Sequence, residues 1–190
     1  MLEPRLILVK HALPEMRAGL APHHWQLGAA GREGAKRLSS ALRRLGPFRL
    51  EHSPEPKAAQ TAEVVAMELG IGRHERHGFE ELDRAPQPIL AREAYIAHNA
   101  QLFADPTKAV VGTESAERAL SRFEVAIGAA VSAAITTEHL VVIAHGTVIA
   151  LFVAAHNPVD ALSLWQRLSC PSLIVLSIPD YALLEVRDAL

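Results

Sequence analysis

The sequence is poor in several things, and each shortage narrows what it can be. It has one cysteine, Cys170, and few aromatics: two tryptophans, two tyrosines and five phenylalanines in 190 residues. A single cysteine closes no internal disulfide, which excludes a disulfide-stapled scaffold and predicts a reducing, cytoplasmic setting. Neither sign of charge dominates. Nineteen Lys and Arg stand against 21 Asp and Glu, a formal charge of −2, so there is no electrostatic case for a nucleic-acid or membrane partner. The basic cluster from Arg37 to Arg44 reads as a solvated helix face. Long apolar runs are missing too. The stretch Leu140 to Ala155 comes nearest, but His145 and Gly146 interrupt it, and it falls short of the roughly 20 residues a membrane span needs. The N-terminus, with Glu3 early and only a short apolar run behind it, is not expected to be a signal peptide. Internal repeats, low-complexity tracts and linkers are also lacking, which predicts one domain over residues 1–190.

What is present alternates. Leu6-Ile7-Leu8-Val9 is a short β-branched run of the kind found in strands buried on both faces. Gly31 to Leu45 has helical periodicity, with Ala35, Leu38, Ala41, Leu42 and Leu45 on one side and Gly46-Pro47 as the stop. Phe48 to His52 reads as a second strand. A helix follows from Ser53-Pro54-Glu55 to about Leu69, with Ser53 as N-cap and Glu55 as a carboxylate near the positive end of the dipole. Arg73 to His77 suggests an edge strand and Leu90 to Phe103 a helix. Thr113 to Thr137 reads as a long helix, with Thr113 and Ser115 as candidate caps. Leu140 to Ala144 is another buried strand, followed by helical pattern from Thr147 to Ala155. Leu173 to Ile178 and Ala182 to Val186 are strands on either side of Pro179-Asp180-Tyr181. This order predicts an α/β fold, a three-layer α/β/α sandwich whose sheet is mostly parallel with one antiparallel strand.

In such sheets ligands bind beyond the carboxyl ends of the strands. That rule selects Lys10-His11, Ser53 to Lys57, and His145-Gly146. Two histidines, two lysines and two helix N-termini would converge on one rim, a combination that favours phosphate. His23, His24, His74 and His77 have no cysteine or acidic partner at ligand spacing, so no metal site is expected. Cys170, Trp25 and Trp165 read as packing residues, with Trp25 also near enough to His11 in sequence to touch a substrate. Arg84, close behind Glu81, is a candidate anion contact.

Six segments, in order, resemble the histidine phosphatase superfamily, also called phosphoglycerate-mutase-like. Leu6 to Ala12 is similar to the strand and Arg-His-Gly signature, and Leu27 to Ala35 to a Leu-Thr-x-x-Gly-x-x-Gln-Ala segment. Ser53 to Ala62 resembles Ser-Pro-x-x-Arg-Ala-x-Gln-Thr-Ala. Phe79-Glu80-Glu81-Leu82 falls where the family has Leu-x-Glu. Gly112-Thr113-Glu114-Ser115 looks like Gly-Gly-Glu-Ser, and Val142 to Ile149 is close to Val-Ser-His-Gly-Gly-Val-Ile.

The resemblance implies a phosphoglycerate-mutase-like fold and a hydrolase that cleaves a phosphomonoester through a phosphohistidine. His11 matches the nucleophile, His145 the second histidine that steadies the transferring phosphoryl, and Glu81 the acid that protonates the leaving oxygen. Lys10, Lys57 and Gly146 fall on the phosphate-binding positions. No metal or other cofactor is implied. The substrate would be a small phosphorylated molecule or a phosphoprotein, and the oligomeric state is left open. Two positions depart from the pattern. Both clamping arginines are lysines, which keeps charge but loses the planar fork, so arginine at these positions is expected to raise the rate. Ala12 replaces a glycine and adds a Cβ where the backbone would approach ligand. These changes keep a second reading alive, a weak or inactive relative that binds a phosphorylated ligand or partner. A mutase-type phosphotransferase is a third, disfavoured by the short segment between Glu81 and Gly112.

Overall fold

Strand β1 (Arg5–Lys10) lies at the middle of the sheet. It pairs in parallel with β4 (His139–Ala144) on one side and antiparallel with β5 (Ser172–Ser177) on the other. In the computed structural model, residues 3–46, 48–84, 90–110, 112–134 and 138–190 are described. β2 (Phe48–His52) pairs in parallel with β4 and with the short edge strand β3 (His74–Glu75), while β6 (Leu183–Arg187) closes the other edge antiparallel to β5. The sheet order is therefore β3-β2-β4-β1-β5-β6. Only β5 runs against both of its neighbours.

The pleat sends alternate side chains to opposite faces, so a strand apolar at every position needs cover on both. Leu6 and Leu8 of β1 join one core with Leu140 and Val142 of β4, beneath α4 (Ala116–Ala133) and α5 (Gly146–His156). α3 (Arg92–Ala104) and α6 (Ala161–Arg167) belong to that layer. Ile7 and Val9 join the other core with Val141 and Ile143, beneath α1 (Ala29–Leu42) and α2 (Pro56–Leu69). The three-layer arrangement follows from that two-sided hydrophobicity. Among the described residues, no helix is long and apolar enough to cross a membrane.

Several boundaries differ from the sequence-based expectation. α1 ends at Leu42, and a single 3-10 turn (Arg43–Leu45) carries the chain to Gly46, whose φ of 101° reverses its direction. α4 begins at Ala116 with Ser115 as its cap, its hydroxyl accepting from Arg118 N at 3.3 Å. The proposed end of that helix at Thr137 lies outside the described residues. α6 was not anticipated; it is only seven residues long and starts where Asp160 accepts from Ser163 N at 2.7 Å.

Candidate active site

The parallel strands β2, β4 and β1 end side by side, and their hydrogen-bond ladder continues past the last strand residue. His11 N donates to Ala144 O at 3.0 Å and Ser53 N to Ile143 O at 2.9 Å. His11, Ser53 and His145 are thereby set in a row on one rim by backbone bonds. The rings of His11 and His145 meet edge-on, 5.1 Å between centroids.

His11 is buried, and its Nδ1 lies 2.8 Å from Ala12 O. A carbonyl only accepts, so Nδ1 carries the proton and Nε2 carries the lone pair. Burial pushes the imidazole pKa well below its usual 6.5, with the neighbouring His145 and Lys57 adding to the effect. His145 is lowered in the same direction, again by burial first and then by Lys57, Arg122 and Lys10. Both rings are held neutral.

His145 shares a 2.8 Å hydrogen bond, Nε2 to Ser53 Oγ, while its buried Nδ1 has no partner among the described residues. Ser53 was expected to cap α2. The helix instead starts at Pro56, with Glu55 in the cap position, and the Ser53 hydroxyl accepts from Glu55 N at 3.2 Å and faces His145. A proline at position 56 forbids helical backbone in the residue before it, which moves the start two residues on.

The lysines are both at the rim, and both are already engaged. Lys10 Nζ donates to Leu168 O at 2.6 Å. Lys57 Nζ donates to Pro22 O at 2.9 Å and forms a buried ion pair with Glu55. Gly146 has a packing reason for its identity: a Cβ there would stand 3.2 Å from Lys10 Cε and 3.4 Å from Nζ, crowding the lysine where it reaches the site. Ala12 does not crowd the rim in the way expected. Its methyl packs with Leu27 and Ala35, and its N–H donates to Thr61 Oγ1 at 3.0 Å.

Glu81 reaches the N-terminus of α5 from the facing loop. Its carboxyl accepts from Thr147 N at 3.1 Å and Val148 N at 3.3 Å, two N–H groups that the helix start leaves without an intrahelical partner. That loop is pinned by Arg122 of α4. The guanidinium donates to Gly78 O and Glu80 O, both at 3.0 Å, to Glu81 O at 3.3 Å, and through two nitrogens to Glu114. Glu114 in turn accepts from Asp83 N at 3.0 Å. Thr113 Oγ1 donates to Asp83, and a Cβ on Gly112 would collide with Asp83 O. The Gly112 to Ser115 segment therefore serves to hold the Glu81 loop. Arg84 donates to Asn99 Oδ1 at 2.7 Å and Thr147 Oγ1 at 3.1 Å, lying over the Tyr95 ring.

A cavity of about 880 Å³ opens over this rim, lined by Lys57, Glu55, Glu81, Arg84, Arg118 and Arg122 among others. The match to the family model runs over residues 6–182. The chain belongs to the histidine phosphatase superfamily (branch 1). Solved structures with the same fold include a mycobacterial glucosyl-3-phosphoglycerate phosphatase, 18% identical with a TM-score of 0.77 over 98% of this chain and 99% of that one. An alpha-ribazole phosphatase from Shigella flexneri is 20% identical with a TM-score of 0.68, over 97% and 96%. A protein described as mycobacterial hydrolase 1 is 20% identical with a TM-score of 0.75, over 97% and 94%. Among curated protein sequences, none matches this chain.

In this chain the structure brings His11, His145, Lys10, Lys57, Gly146 and Glu81 to one rim. Two residues of the site had no site role assigned from the sequence: Glu55, read as a helix-start carboxylate within the Ser53 to Lys57 rim segment, and Arg122. Glu55 is buried against Lys57, accepts from Glu81 N at 2.7 Å, and has an oxygen 3.6 Å from His145 Nε2. Trp25, at the end of the short turn Pro22–His24, donates from Nε1 to Leu20 O at 3.0 Å, in the segment that supplies Lys57 with Pro22 O. Cys170 is half-buried beside Lys10, and burial pushes its thiol pKa up.

Proposed function

We propose that this protein is a phosphomonoesterase acting in a reducing cytoplasm through a phosphohistidine on His11, on a small phosphorylated molecule or a phosphoprotein. The observation that carries the reading is the fixed tautomer of His11. Its proton is committed to Ala12 O, so the nucleophilic lone pair is on Nε2 before substrate arrives. Burial keeps the ring neutral in the range where phosphatases work.

In the first half-reaction Nε2 attacks phosphorus, the ester P–O bond breaks, and the leaving oxygen takes a proton from the Glu81 carboxyl. In the second, water attacks the phosphohistidine, Glu81 takes the water's proton, and the P–N bond breaks to return neutral His11 with inorganic phosphate. Ser53 supports His145 during both. Its oxygen accepts from Glu55 N, which leaves its own proton for His145 Nε2. The His145 proton then sits on Nδ1, a buried donor that a phosphoryl oxygen would satisfy. Lys10 and Lys57 add positive charge, and transfer of this kind depends mainly on position and charge.

Hydrolysis of a generic aryl phosphate by the protein and by His11→Ala tests the reading. Turnover is expected from the first and only background from the second, together with an acid-labile, base-stable phosphoprotein after rapid quench of the first. Equal background hydrolysis by both overturns it. A second reading, a binder of a phosphorylated ligand or partner without turnover, is favoured by one observation: both lysines already bond protein groups. Phosphate binding without hydrolysis in the same pair would select it.

A further inference from the structure

The carboxylate of Glu55 occupies a position suited to an anionic ligand. It is buried, paired with Lys57, bonded to Glu81 N at 2.7 Å, and 3.6 Å from His145. A cation, a backbone N–H and a histidine converging on one point are the groups that a phosphoryl oxygen would use. The cavity gives the same picture from outside. Glu55 and Lys57 line it, whereas neither His11 nor His145 is among its lining residues. The ion pair therefore stands between the opening and the histidines.

We propose that Glu55 is an internal anion that gates the phosphate site, so that a phosphoryl group reaches His11 only as the Glu55 side chain leaves Lys57 and His145. The inference rests on the phosphate-binding part of the function above. It needs no movement of the main chain. Pro56 holds Glu55 in an extended conformation (φ −63°, ψ 135°), so the backbone is fixed and the free motion is about the side-chain bonds. The displaced carboxylate has a cationic partner to turn to, because Arg118 lines the same cavity. Lys57 keeps Pro22 O as a partner throughout and exchanges a carboxylate oxygen for a phosphoryl oxygen. Lys10, bonded to a backbone carbonyl, faces no such exchange. The site is thus asymmetric, with Lys10 held only by a neutral carbonyl and Lys57 held in reserve by a carboxylate. Glu55 also sets selectivity by charge. Ligands that fail to offer Lys57 more than a carboxylate already does are excluded, so phosphoryl groups are admitted and simple carboxylates are not.

The test is binding of inorganic phosphate and of orthovanadate, by calorimetry and by thermal shift, to the full chain and to Glu55→Gln and Glu55→Ala. Each variant is expected to bind phosphate at least about tenfold more tightly, since a like charge a few ångströms from the ligand is gone. Each should also show a larger rise in melting temperature with phosphate, because Lys57 without ligand lacks its buried partner. With an aryl phosphate, KM should fall with the same ratio. Unchanged or weaker phosphate binding in both variants overturns the gate. So does a fall in kcat at constant KM, which would make Glu55 a proton donor. Repeating the binding in His11→Ala and His11→Ala/Glu55→Gln separates the two proposals. A tenfold gain there, with no turnover in the unmodified protein, keeps the gate and removes the phosphatase.

Discussion

The two halves of the site are built by different means. The histidine half is set by main chain. His11 and Ser53 are rungs of the sheet ladder, the His11 tautomer is fixed by a backbone carbonyl, and the rings are buried and neutral. The acidic half is held by side chains. Glu81 rests on the end of α5, Glu55 on Lys57, and Arg122 ties the loop around them to Glu114. Backbone ladders break only when the sheet opens, whereas a side-chain ion pair can exchange one partner for another while the sheet stays closed. The first half suits a nucleophile that must not move. The second suits groups that must yield to a ligand and pass protons.

Substitutions should therefore act differently on the two sides. The largest effect belongs to the histidine half. His145→Gln is expected to lower aryl phosphate turnover by about a hundredfold or more, as loss of a preorganised donor does, while circular dichroism shows an intact fold. Arg122→Ala comes next. It removes the fork from Glu114 and three loop carbonyls, and about 2 kcal/mol of stability should go with it. For a chain of this size that is roughly a 4–8 °C fall in melting temperature, with turnover reduced about tenfold as the Glu81 loop loosens. An unaltered melting temperature would show that the loop holds itself.

The buried rings also predict a pH response. His11 and His145 have folded pKa values below 6.5. The unfolded chain therefore binds more protons in that range, and stability is complete above about 6.5 and is lost as pH falls beneath it. Each ring contributes up to about 1.4 kcal/mol per pH unit in that window. Urea melts at pH 7.5 and 5.5 should show the loss, and His145→Gln, though less stable at neutral pH, should show a shallower slope. The smallest effect is expected from Lys57→Arg. Arginine would grip Glu55 as readily as it grips phosphate, so less than about a threefold change in kcat/KM is expected with Glu55 present and a clear gain once Glu55→Gln is added. This revises the simple expectation that arginine speeds the reaction.

Much of the site was legible because its spacing along the chain is local. His11, Ser53 and His145 each follow a short apolar strand, and strands of that composition must lie inside a covered sheet whose carboxyl ends form one rim. Glu55 and Arg122 were given no role in the site, for different reasons. Glu55 has a sufficient local explanation, a carboxylate at a helix start, and nothing in the sequence says that its side chain turns inward. Arg122 left a trace. It lies on the stripe of α4 that otherwise carries Ala119, Phe123 and Ala126, and a guanidinium on a buried stripe demands partners. Those partners lie more than forty residues away at Gly78 and Glu80, beyond the reach of helical periodicity. α6 was too short to show a period, following Pro158 by three residues.

The turn at Pro22 joins the reserve lysine to an optical signal. Pro22 O accepts from Lys57, and three residues on Trp25 is held by Leu20 O. The other tryptophan, Trp165, is buried against Tyr95 and Phe103 in the opposite layer. With Trp165→Phe, the emission of Trp25 becomes a single-site reporter of the segment that carries Pro22. Stopped-flow mixing with phosphate can then time ligand entry in a protein that carries no added dye.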